Sequence, residues 1–448
     1  MRALLALAAA ATPALAADRP NVVVVLVDDL RYDGLGCTGH PFAKTPNVDR
    51  LAREGVVFRN AFVSIPLCSP SRSSFLTGRY AHATGVTTNG DSSALSHKLV
   101  TFPKLLHDAG YATAYVGKWH MGTDDTPRPG FDRWVSFKGQ GVYSDPPLNV
   151  DGERTTARGY VTDILNRYAV EFVKAQKGNK PFCLYLAHKA VHGPFTPAER
   201  HKGLYPDDKY PPPASAADDR AGKPALREAS AKNAPKKPGG PKGDFPAMRS
   251  QMRCLASIDE GVGDLLKALA ESGQLDNTLF VFTSDNGFFW GEHGGLGDKR
   301  WAYEESIRVP LIVRYPKLAK AGSAVSQMVL NVDLAPTALD LAGVKPPADL
   351  HGRSLVPLLK GDASGWRTAI LTEYFQEKAY PRFPTWQAVR TDRWKYIRYP
   401  GHPDWDELYD LKADPAERKN RIGDESAGEV VRALQAELDR LRAETGGK

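Results

Sequence analysis

The chain has 448 residues, of which 42% are hydrophobic and 25% charged, and its formal net charge at pH 7 is +7. A chain of this length is too long for one small core and predicts a large α/β domain with a smaller partner. The mild positive charge suits an acidic substrate. Because the sequence contains no aromatic-basic module, it does not indicate nucleic-acid binding.

The first 17 residues have the pattern of a secretory signal peptide. Arg2 precedes an apolar run over residues 3–11, and Ala14-Leu15-Ala16 follows with small residues at its first and third positions, as is typical of a cleavage site. The apolar run is too short to span a bilayer, and no later segment has the unbroken apolar length of a transmembrane helix. We therefore expect an exported protein, periplasmic or secreted, with no membrane span.

Four apolar runs predict strands that are buried on both faces of a parallel sheet. They cover Asn21–Val27 and residues 111–116, 181–187 and 278–283. Because ligands bind beyond the carboxyl ends of strands in open α/β sheets, we expect the polar side chains that follow these runs to be neighbours in space. In chain order these side chains are Asp28 and Asp29, Lys118 and His120, His188 and His192, and Asp285 and Asn286.

The rest of the chain predicts helices around this sheet and a smaller C-terminal subdomain. Residues 205–246 are rich in Pro and Lys and predict a long loop insert. We expect a catalytic domain over residues 18–350 and an α+β subdomain over 351–448, with antiparallel strands and a terminal helix. The other predicted elements are helices at 45–54, 102–109, 160–174, 248–269, 332–341 and 429–444, and strands at 56–63, 309–314, 386–390, 394–398 and 407–411.

The strongest motif surrounds a cysteine. Ser69 is suited to cap a short helix, Pro70 to occupy its first position and Gly78 to end it, which places Cys68 at the helix N-terminus. Amide N–H groups at such a terminus favour a bound anion, and Arg72, one turn along, adds a charge suited to tetrahedral oxyanions. A thiol among cationic groups is ordinarily a nucleophile with a lowered pKa. A lone cysteine without these neighbours is more often a buried structural residue.

Two pairs of oxygen-bearing side chains indicate a divalent cation. Asp28, Asp29, Asp285 and Asn286 offer three carboxylates and an amide, which are hard ligands that suit Ca2+ or Mg2+ rather than zinc. Adjacent acids at a strand end repel each other, and a cation between them is the simplest way to keep them together. Either pair alone is more typical of solvated acids in a turn, but the two pairs together predict a metal site.

The sequence C-x-P-S-R-x-x-x-L-T-G-R is complete from Cys68 to Arg79 and resembles the consensus of the formylglycine-dependent sulfatases, in the alkaline-phosphatase-like superfamily. The resemblance extends from Asn21 to about Leu411. It implies a large, mostly parallel central sheet sandwiched by helices, with a small C-terminal α+β subdomain. It also implies that a formylglycine-generating maturation enzyme oxidises Cys68 to formylglycine, whose hydrated aldehyde is the nucleophile.

The resemblance also implies roles for the other site residues. One hydroxyl of the hydrate attacks sulfur, the alcohol leaves, and the second hydroxyl loses its proton to expel sulfate, a route closed to a plain serine or cysteine ester. Arg72 and the metal stabilise charge on the sulfuryl oxygens. The implied assignments are Asp28, Asp29, Asp285, Asn286 and modified Cys68 to a cation, most often calcium; Lys118 to the hydrate and sulfate; His120 to support of the nucleophile; His192 to sulfate and the leaving alkoxide; and Lys299 to sulfate.

The sequence leaves two questions about histidine roles open. His188 competes with His192 because it lies nearer the strand end, and we favour His192 for its Gly-Pro-Phe context. His293, in Gly-Glu-His-Gly, is either a substrate contact or a loop histidine with its own partners. Arg300, next to Lys299, is interpreted as structural.

The later motifs resemble sulfatases of carbohydrate sulfate esters, first of all N-acetylglucosamine-6-sulfatases, and imply a sulfated glycan as substrate. A phosphonate or phosphate monoester hydrolase of the same superfamily and a non-catalytic protein that binds sulfated glycans are alternatives. A cysteine hydrolase leaves the paired acids unexplained. With Cys68 assigned, Cys37, Cys183 and Cys254 leave room for one disulfide bridge.

Overall fold

The computed structural model describes residues 19–176, 178, 180–231 and 246–447. The predicted signal peptide and residues 232–245 of the predicted insert lie outside this range. Among the described helices, none combines the length and apolar character that a membrane crossing needs. Within the described residues the strands are β1 Asn21–Val27, β2 Val56–Phe62, β3 Ala112–Gly117, β4 Arg133–Ser136, β5 Pro147–Val150, β6 Glu153–Thr156, β7 Phe182–Ala187, β8 Thr278–Ser284, β9 Leu311–Arg314, β10 Ser323–Leu330, β11 Ala369–Tyr374, β12 Trp386–Thr391, β13 Trp394–Arg398 and β14 Glu407–Asp410.

Helices cover both faces of the larger of two sheets. In the described part of the chain they are α1 Pro46–Glu54, α2 Cys68–Thr77, α3 Ala81–Thr84, α4 Ser93–Ser96, α5 Phe102–Asp108, α6 Val161–Ala175, α7 Pro224–Ala231, α8 Pro246–Glu271, α9 Glu292–Gly295, α10 Glu304–Ile307, α11 Leu334–Leu341, α12 Val356–Leu359 and α13 Gly428–Glu444.

The larger sheet has ten strands in the order β10-β2-β9-β8-β1-β7-β3-β4-β5-β6. The central strands β8, β1, β7, β3 and β4 are all parallel. Only β9 and β5 run against the other eight. The predicted fold class, an α/β protein with a mostly parallel central sheet, is therefore confirmed.

The central strand β1 shows why the sheet is covered on both faces. Val22 and Val24 pack in a core with α2, α5 and α11, whereas Val23 and Val25 pack on the opposite face with α1, α6 and α8. Side chains alternate between the faces of a strand, so an uninterrupted run of valines fills two cores at once. Each fully buried valine side chain contributes about 1.5–3 kcal/mol relative to exposure.

The smaller sheet is antiparallel, in the order β11-β12-β13-β14, and α13 packs on it through Leu434 and Leu438. The predicted hairpin and terminal helix are present. Leu358 and Leu359 of α12 pack in the core of the large sheet, although they follow residue 350. The predicted domain boundary at residue 350 stays a prediction.

The insert prediction is wrong in part, because residues 224–231 form the helix α7. Pro224 suits the first helical position, and Ala225, Leu226 and Ala229 give the helix an apolar stripe. These three side chains are buried in a core shared with the C-terminal sheet. A Pro- and Lys-rich composition therefore hid a segment with its own packing face.

Several strands escaped prediction because they are short or carry mixed polar residues: β4, β5, β6, β10 and β11. The helix predicted from residue 332 begins at Leu334, after a 3-10 turn over Asn331–Asp333. All four cysteines, which lie within the described residues, have free thiols, so the bridge left open by the sequence does not form.

Candidate active site

The carboxyl ends of β8, β1, β7 and β3 lie side by side at one edge of the large sheet. Parallel pairing extends into the segments that follow the strands: the Asp285 amide donates to Val27 O at 3.0 Å, and the Lys118 amide donates to Ala187 O at 2.8 Å. The expectation that the polar groups after these strands are neighbours is confirmed.

The glycine that ends β3 is required by the backbone. Gly117 has φ +119°, and a Cβ at this position would lie 1.9 Å from Ala187 O. Glycine alone tolerates this conformation and this close approach. The resulting turn places Lys118 and His120, whose own φ is 60°, on the site side of the sheet.

The helix that carries the cysteine begins two residues earlier than its capping pattern predicts. Leu67 is the N-cap residue, and Cys68 is the first helical residue. The Ser69 hydroxyl instead donates to His120 O at 2.5 Å, which ties the cysteine helix to the Lys118–His120 turn. Pro70 is tolerated in the first turn because its missing N–H has no helical partner there. Gly78 ends the helix in a left-handed conformation, as predicted.

The Cys68 thiol is fully buried between charges of both signs. Its Sγ lies 3.0 Å from Lys299 Nζ and 3.6 Å from Asp28 Oδ1. Burial raises the pKa of the Cys68 thiol to about 12; the Asp28 charge adds to the rise, and the charges of Lys118 and Lys299 only partly oppose it. The sequence-based expectation of a lowered pKa is therefore wrong, because desolvation outweighs the cations.

The carboxylates of Asp28, Asp29 and Asp285 form one buried cluster, with ligand oxygens within 4.8 Å of one another. Asn286 Nδ2 donates to Asp29 Oδ1 at 2.7 Å, but Asn286 Oδ1 is buried and has no hydrogen-bond partner among the described residues. An unpaired buried carbonyl beside three carboxylates is costly, and a hard divalent cation would satisfy all four groups. The donor set therefore fits the predicted cation.

Cations from three different elements neutralise this cluster. Lys118 Nζ contacts Asp28, and Lys299 Nζ contacts Asp29. Arg72 donates to Asp285 Oδ2 at 2.9 Å and to Asp28 Oδ2 at 3.0 Å. Burial alone would raise the pKa of Asp28, but the charges of Lys118 and Arg72 outweigh it and hold that pKa well below its usual value. Burial and the Asp28 charge raise the pKa of Asp285.

The two competing histidines occupy different environments. His192 Nε2 lies 3.8 Å from Asp29 Oδ2, and the side chain keeps 21% of its surface exposed. His188 is fully buried, and neither of its ring nitrogens has a hydrogen-bond partner among the described residues. Burial lowers the pKa of His188 to about 3, so it is a neutral core residue. The geometry favours His192 as the site histidine.

A family comparison agrees with this constellation. The sulfatase family profile matches residues 20–344, which include all of the site residues described above. The chain belongs to the sulfatase family. It is a sulfuric ester hydrolase. The profile of the C-terminal region of N-sulphoglucosamine sulphohydrolase matches residues 291–444 of this sulfatase.

Individual relatives of the sulfatase are similar over most of its length. An N-acetylglucosamine-6-O-sulfatase of Bacteroides thetaiotaomicron is 36% identical over 468 aligned residues, covering 90% of this chain and 83% of that protein. A solved structure in complex with its substrate D-glucosamine-2-N,6-O-disulfate has a TM-score of 0.87 and 34% identity, covering 96% of this chain and 98% of that chain. The phosphonate monoester hydrolase of Agrobacterium radiobacter has a TM-score of 0.77 and 26% identity, covering 95% and 96% respectively.

His293, which the sequence left undecided, lies inside the sulfatase core. It is fully buried, stacks on Tyr303 with ring centroids 4.1 Å apart, and has Nε2 3.3 Å from Glu305 Oε2. Arg220 of the insert donates to the His293 carbonyl at 2.8 Å. These contacts favour a loop histidine with its own partners, and they show that part of the insert packs against the site loop.

Sequence reasoning missed Glu377, which follows β11 in the C-terminal region. Its carboxylate accepts from Arg300 Nε at 2.7 Å and from the Asn89 amide at 3.3 Å. Asn89 Oδ1 in turn accepts from the Ser69 amide at 3.0 Å. Glu377 therefore links the neighbours of Cys68 and Lys299. No local pattern marks it, because its partners come from distant parts of the chain.

Proposed function

We propose that this sulfatase removes sulfate from sulfated amino sugars, with the 6-sulfate of N-acetylglucosamine as the target ester. The Bacteroides relative is named for that activity, and the substrate in the similar solved structure carries a sulfate at O-6 of glucosamine. Coverage of 90% and 96% of this chain in the two comparisons supports the transfer of the substrate class.

The environment of Cys68 is the observation that carries the mechanism. An unmodified thiol with a pKa of about 12 is protonated at neutral pH and is a weak nucleophile. We infer that Cys68 acts after conversion to formylglycine by a maturation enzyme. Formylglycine supplies a hydrated aldehyde as the attacking oxygen and a way to expel sulfate afterwards. The position of Cys68 at the start of α2 directs helix N–H groups toward an anion bound there.

We propose Ca2+ as the cation, with Mg2+ as the alternative. Asp28, Asp29, Asp285 and Asn286 would hold it together with the modified Cys68. The unpaired Asn286 Oδ1 and the clustered carboxylates support this assignment. A bound divalent cation would polarise the sulfate ester and orient the nucleophile.

Charge balance explains why three cations lie beside the acids. Arg72, Lys118 and Lys299 match the three carboxylates in charge, so a divalent cation adds a net excess of positive charge. A sulfate monoester carries negative charge and is attracted to that excess. We propose that Lys118 and Lys299 contact the sulfuryl oxygens and that Arg72, which already binds two carboxylates, holds the ligands in place.

The two site histidines have separate roles in the proposal. His192 is partly exposed beside Asp29 and protonates the leaving alkoxide. His120 is buried, with Nδ1 3.3 Å from the Ser69 hydroxyl next to the nucleophile, and it supports the attack and the later release of sulfate. Proton transfer of this kind contributes about 10²–10⁴-fold to enzymatic rates.

Export is part of the proposal and rests on the N-terminal pattern alone. Arg2, the apolar run over residues 3–11 and the small residues before position 17 support it. Sequencing of the protein recovered outside the cytoplasm should give an N-terminus near residue 18. Recovery of the full-length chain from the cytoplasm alone would contradict export.

Peptide mass tests the nucleophile. The protein is produced in a host that has a formylglycine-generating enzyme, and trypsin releases residues 60–72, which contain Cys68. Conversion of the thiol to the aldehyde lowers the peptide mass by about 18 Da, because sulfur is exchanged for oxygen and two hydrogens are lost. An unshifted peptide from a host that converts another sulfatase in parallel would contradict the proposed mechanism.

Relative rates test the substrate class. We expect hydrolysis of N-acetylglucosamine-6-sulfate to exceed hydrolysis of aryl phosphonates and aryl phosphates at equal concentration. A preference for the phosphonate would instead favour the activity of the Agrobacterium relative. Binding of sulfated glycans without turnover, by protein whose Cys68 is fully converted, would favour the non-catalytic alternative.

A further inference from the structure

The segment that carries His192 is hydrogen-bonded through its backbone to Asp28, the residue that follows β1. After β7 ends at Ala187, the Asp28 amide donates to Ala190 O at 3.0 Å, and the Val191 amide donates to Asp28 O at 2.8 Å. The backbone is thus anchored just before His192. These bonds fix where the segment lies, but they leave the orientation of the imidazole to other contacts.

One carbonyl determines which ring nitrogen of His192 carries a hydrogen. Gly193 O lies 2.9 Å from His192 Nδ1 and also accepts from Lys189 Nζ at 3.2 Å. A carbonyl oxygen can only accept, so Nδ1 is the donor, and Nε2 is left on the side of the ring where Asp29 lies. The lysine therefore holds the group that sets the tautomer of the histidine.

A tyrosine holds the preceding carbonyl. The Tyr143 hydroxyl donates to His192 O at 2.5 Å, and Lys189 Nζ lies 4.9 Å from the centre of the Tyr143 ring. Tyr143 lies between β4 and β5, so it reaches this segment from another part of the sheet. Both side chains are buried, with 5% of Tyr143 and 2% of Lys189 exposed. Lysine is rarely buried without a carboxylate partner, and a carbonyl with an aromatic face offsets its desolvation only in part. Simple packing therefore explains Lys189 poorly.

We propose that Lys189 and Tyr143 are positioning residues that hold His192 in the tautomer and orientation that its proton transfer requires. This inference rests on the proposed function, in which His192 is the general acid. His192 donates as the imidazolium, in which both ring nitrogens carry hydrogen. As the nucleophile oxygen bonds to sulfur and the bond from sulfur to the leaving oxygen breaks, the leaving oxygen takes the Nε2 proton. The Nδ1–H stays on Gly193 O, so the ring is left in the neutral tautomer that this carbonyl favours. Donor and acceptor roles that are fixed in advance cost no reorganisation at that moment.

Leaving-group dependence tests the inference, because acid assistance matters most for a poor leaving group. The variants are Lys189→Met, Tyr143→Phe and His192→Ala, and the substrates are the sugar sulfate and a series of aryl sulfates of increasingly acidic phenols. For Lys189→Met we expect kcat/KM for the sugar sulfate to fall about 10–100-fold. For the aryl sulfate of the most acidic phenol, we expect kcat/KM to fall only a few-fold. Tyr143→Phe should show the same trend with a smaller loss. Lys189→Arg should recover part of the activity, because it keeps a cationic donor.

Lys138→Met is the matched control, since Lys138 is exposed on the segment that leads to Tyr143. It should leave all rates unchanged. An equal loss on every substrate for Lys189→Met and Tyr143→Phe, or no loss, would overturn the inference. If Lys189→Met does not fold, Tyr143→Phe, which loses only one hydroxyl, decides the question. Wild-type protein that hydrolyses no sulfate ester, or His192→Ala without a changed leaving-group slope, would instead overturn the proposed function and the inference with it.

Discussion

Two buried clusters of acids and cations can be compared, one at the sheet edge and one between the two sheets. At the sheet edge, Asp28, Asp29 and Asp285 gather beside the unpaired oxygen of Asn286. The second cluster, the sheet junction, is formed by His293, Glu305, Glu417, Glu304 and Lys395. The ligand atoms of its His293, Glu305 and Glu417 also lie within 4.8 Å of one another.

The two clusters differ in where their cations come from. Lys395, on β13, lies 2.9 Å from Glu304 Oε1 and 2.7 Å from Glu417 Oε1, within the core of the junction. At the sheet edge, Lys118 and Lys299 instead come from segments beyond the strands. A cluster of acids is therefore not a metal site by itself. An unpaired amide oxygen and the partly exposed His192 distinguish the sheet edge, whereas at the junction Lys395 bridges two of the acids.

Removal of the proposed nucleophile should give the largest difference between the two regions. Cys68→Ala at the sheet edge should lower kcat by about 10⁴-fold or more, because no other group takes over attack on sulfur. The free energy of unfolding should change little, since alanine fits the buried position with a small cavity. Steady-state hydrolysis of the sugar sulfate and urea unfolding measure the two quantities. Residual activity within tenfold of wild type would contradict the assignment of Cys68.

Dependence on Ca2+ should also distinguish the sheet edge from the junction. At a Ca2+ concentration 100 times its dissociation constant, binding should stabilise the folded protein by about 2.7 kcal/mol, and chelation should remove this gain together with activity. Asp285→Asn should abolish the Ca2+-dependent shift in unfolding temperature. Asp264→Asn, an exposed change on α8, is the control and should keep the shift. A Ca2+ shift that survives Asp285→Asn but is lost in a junction variant would reverse the comparison.

At the junction, loss of the cation should affect stability rather than chemistry. Lys395→Met leaves Glu304 and Glu417 buried without their shared partner, and we expect a loss of about 3–5 kcal/mol in the free energy of unfolding. Lys412→Met, an exposed change in the same subdomain, should cost less than about 0.5 kcal/mol. Urea unfolding measures both. Because Lys395 forms its ion pairs with Glu304 and Glu417 and not with a proposed catalytic residue, kcat per folded molecule should stay near wild type.

The sheet edge could be predicted from the sequence because the residues that form it follow directly after recognisable strands. The valine run of β1 and the acids that follow it are contiguous, and the edge of a parallel sheet brings such segments together. The cysteine motif is contiguous as well. The start of α2 was mispredicted because the Ser71 amide bonds to Leu67 O, while the Ser69 hydroxyl finds a tertiary partner in His120. A capping pattern does not reveal such competition.

The junction and the contacts around His192 could not be predicted in the same way. Lys395 is an ordinary polar residue of a strand until the fold brings Glu304 and Glu417 to it. Tyr143 reaches His192 across 49 residues of sequence. These contacts depend on tertiary packing between distant segments, and no local sequence pattern reveals them.

A contact between α3 and β11, separate from the junction, should give the smallest effect, and it depends on pH. His82 Nδ1 lies 2.9 Å from Glu373 Oε2, and Nε2 lies 2.8 Å from Thr445 O near the C-terminus. Burial lowers the pKa of His82, but the hydrogen bond and the charge of Glu373 outweigh burial, so the pKa is raised above its usual value. The folded state therefore binds a proton more tightly than the unfolded state. The resulting stability is fully present below the unfolded pKa of about 6.5 and is lost as pH rises through the higher folded pKa.

His82→Gln should remove this dependence, at a cost of about 1 kcal/mol at pH 5.5 and less at pH 8.5. The free energy of unfolding at the two pH values measures it. His107→Gln is the control. His107 forms a comparable contact with Asp132, but the His107 side chain is 40% exposed, so this contact should contribute little to the free energy of unfolding. An equal loss for His82→Gln at both pH values would mean that the ring acts through packing alone.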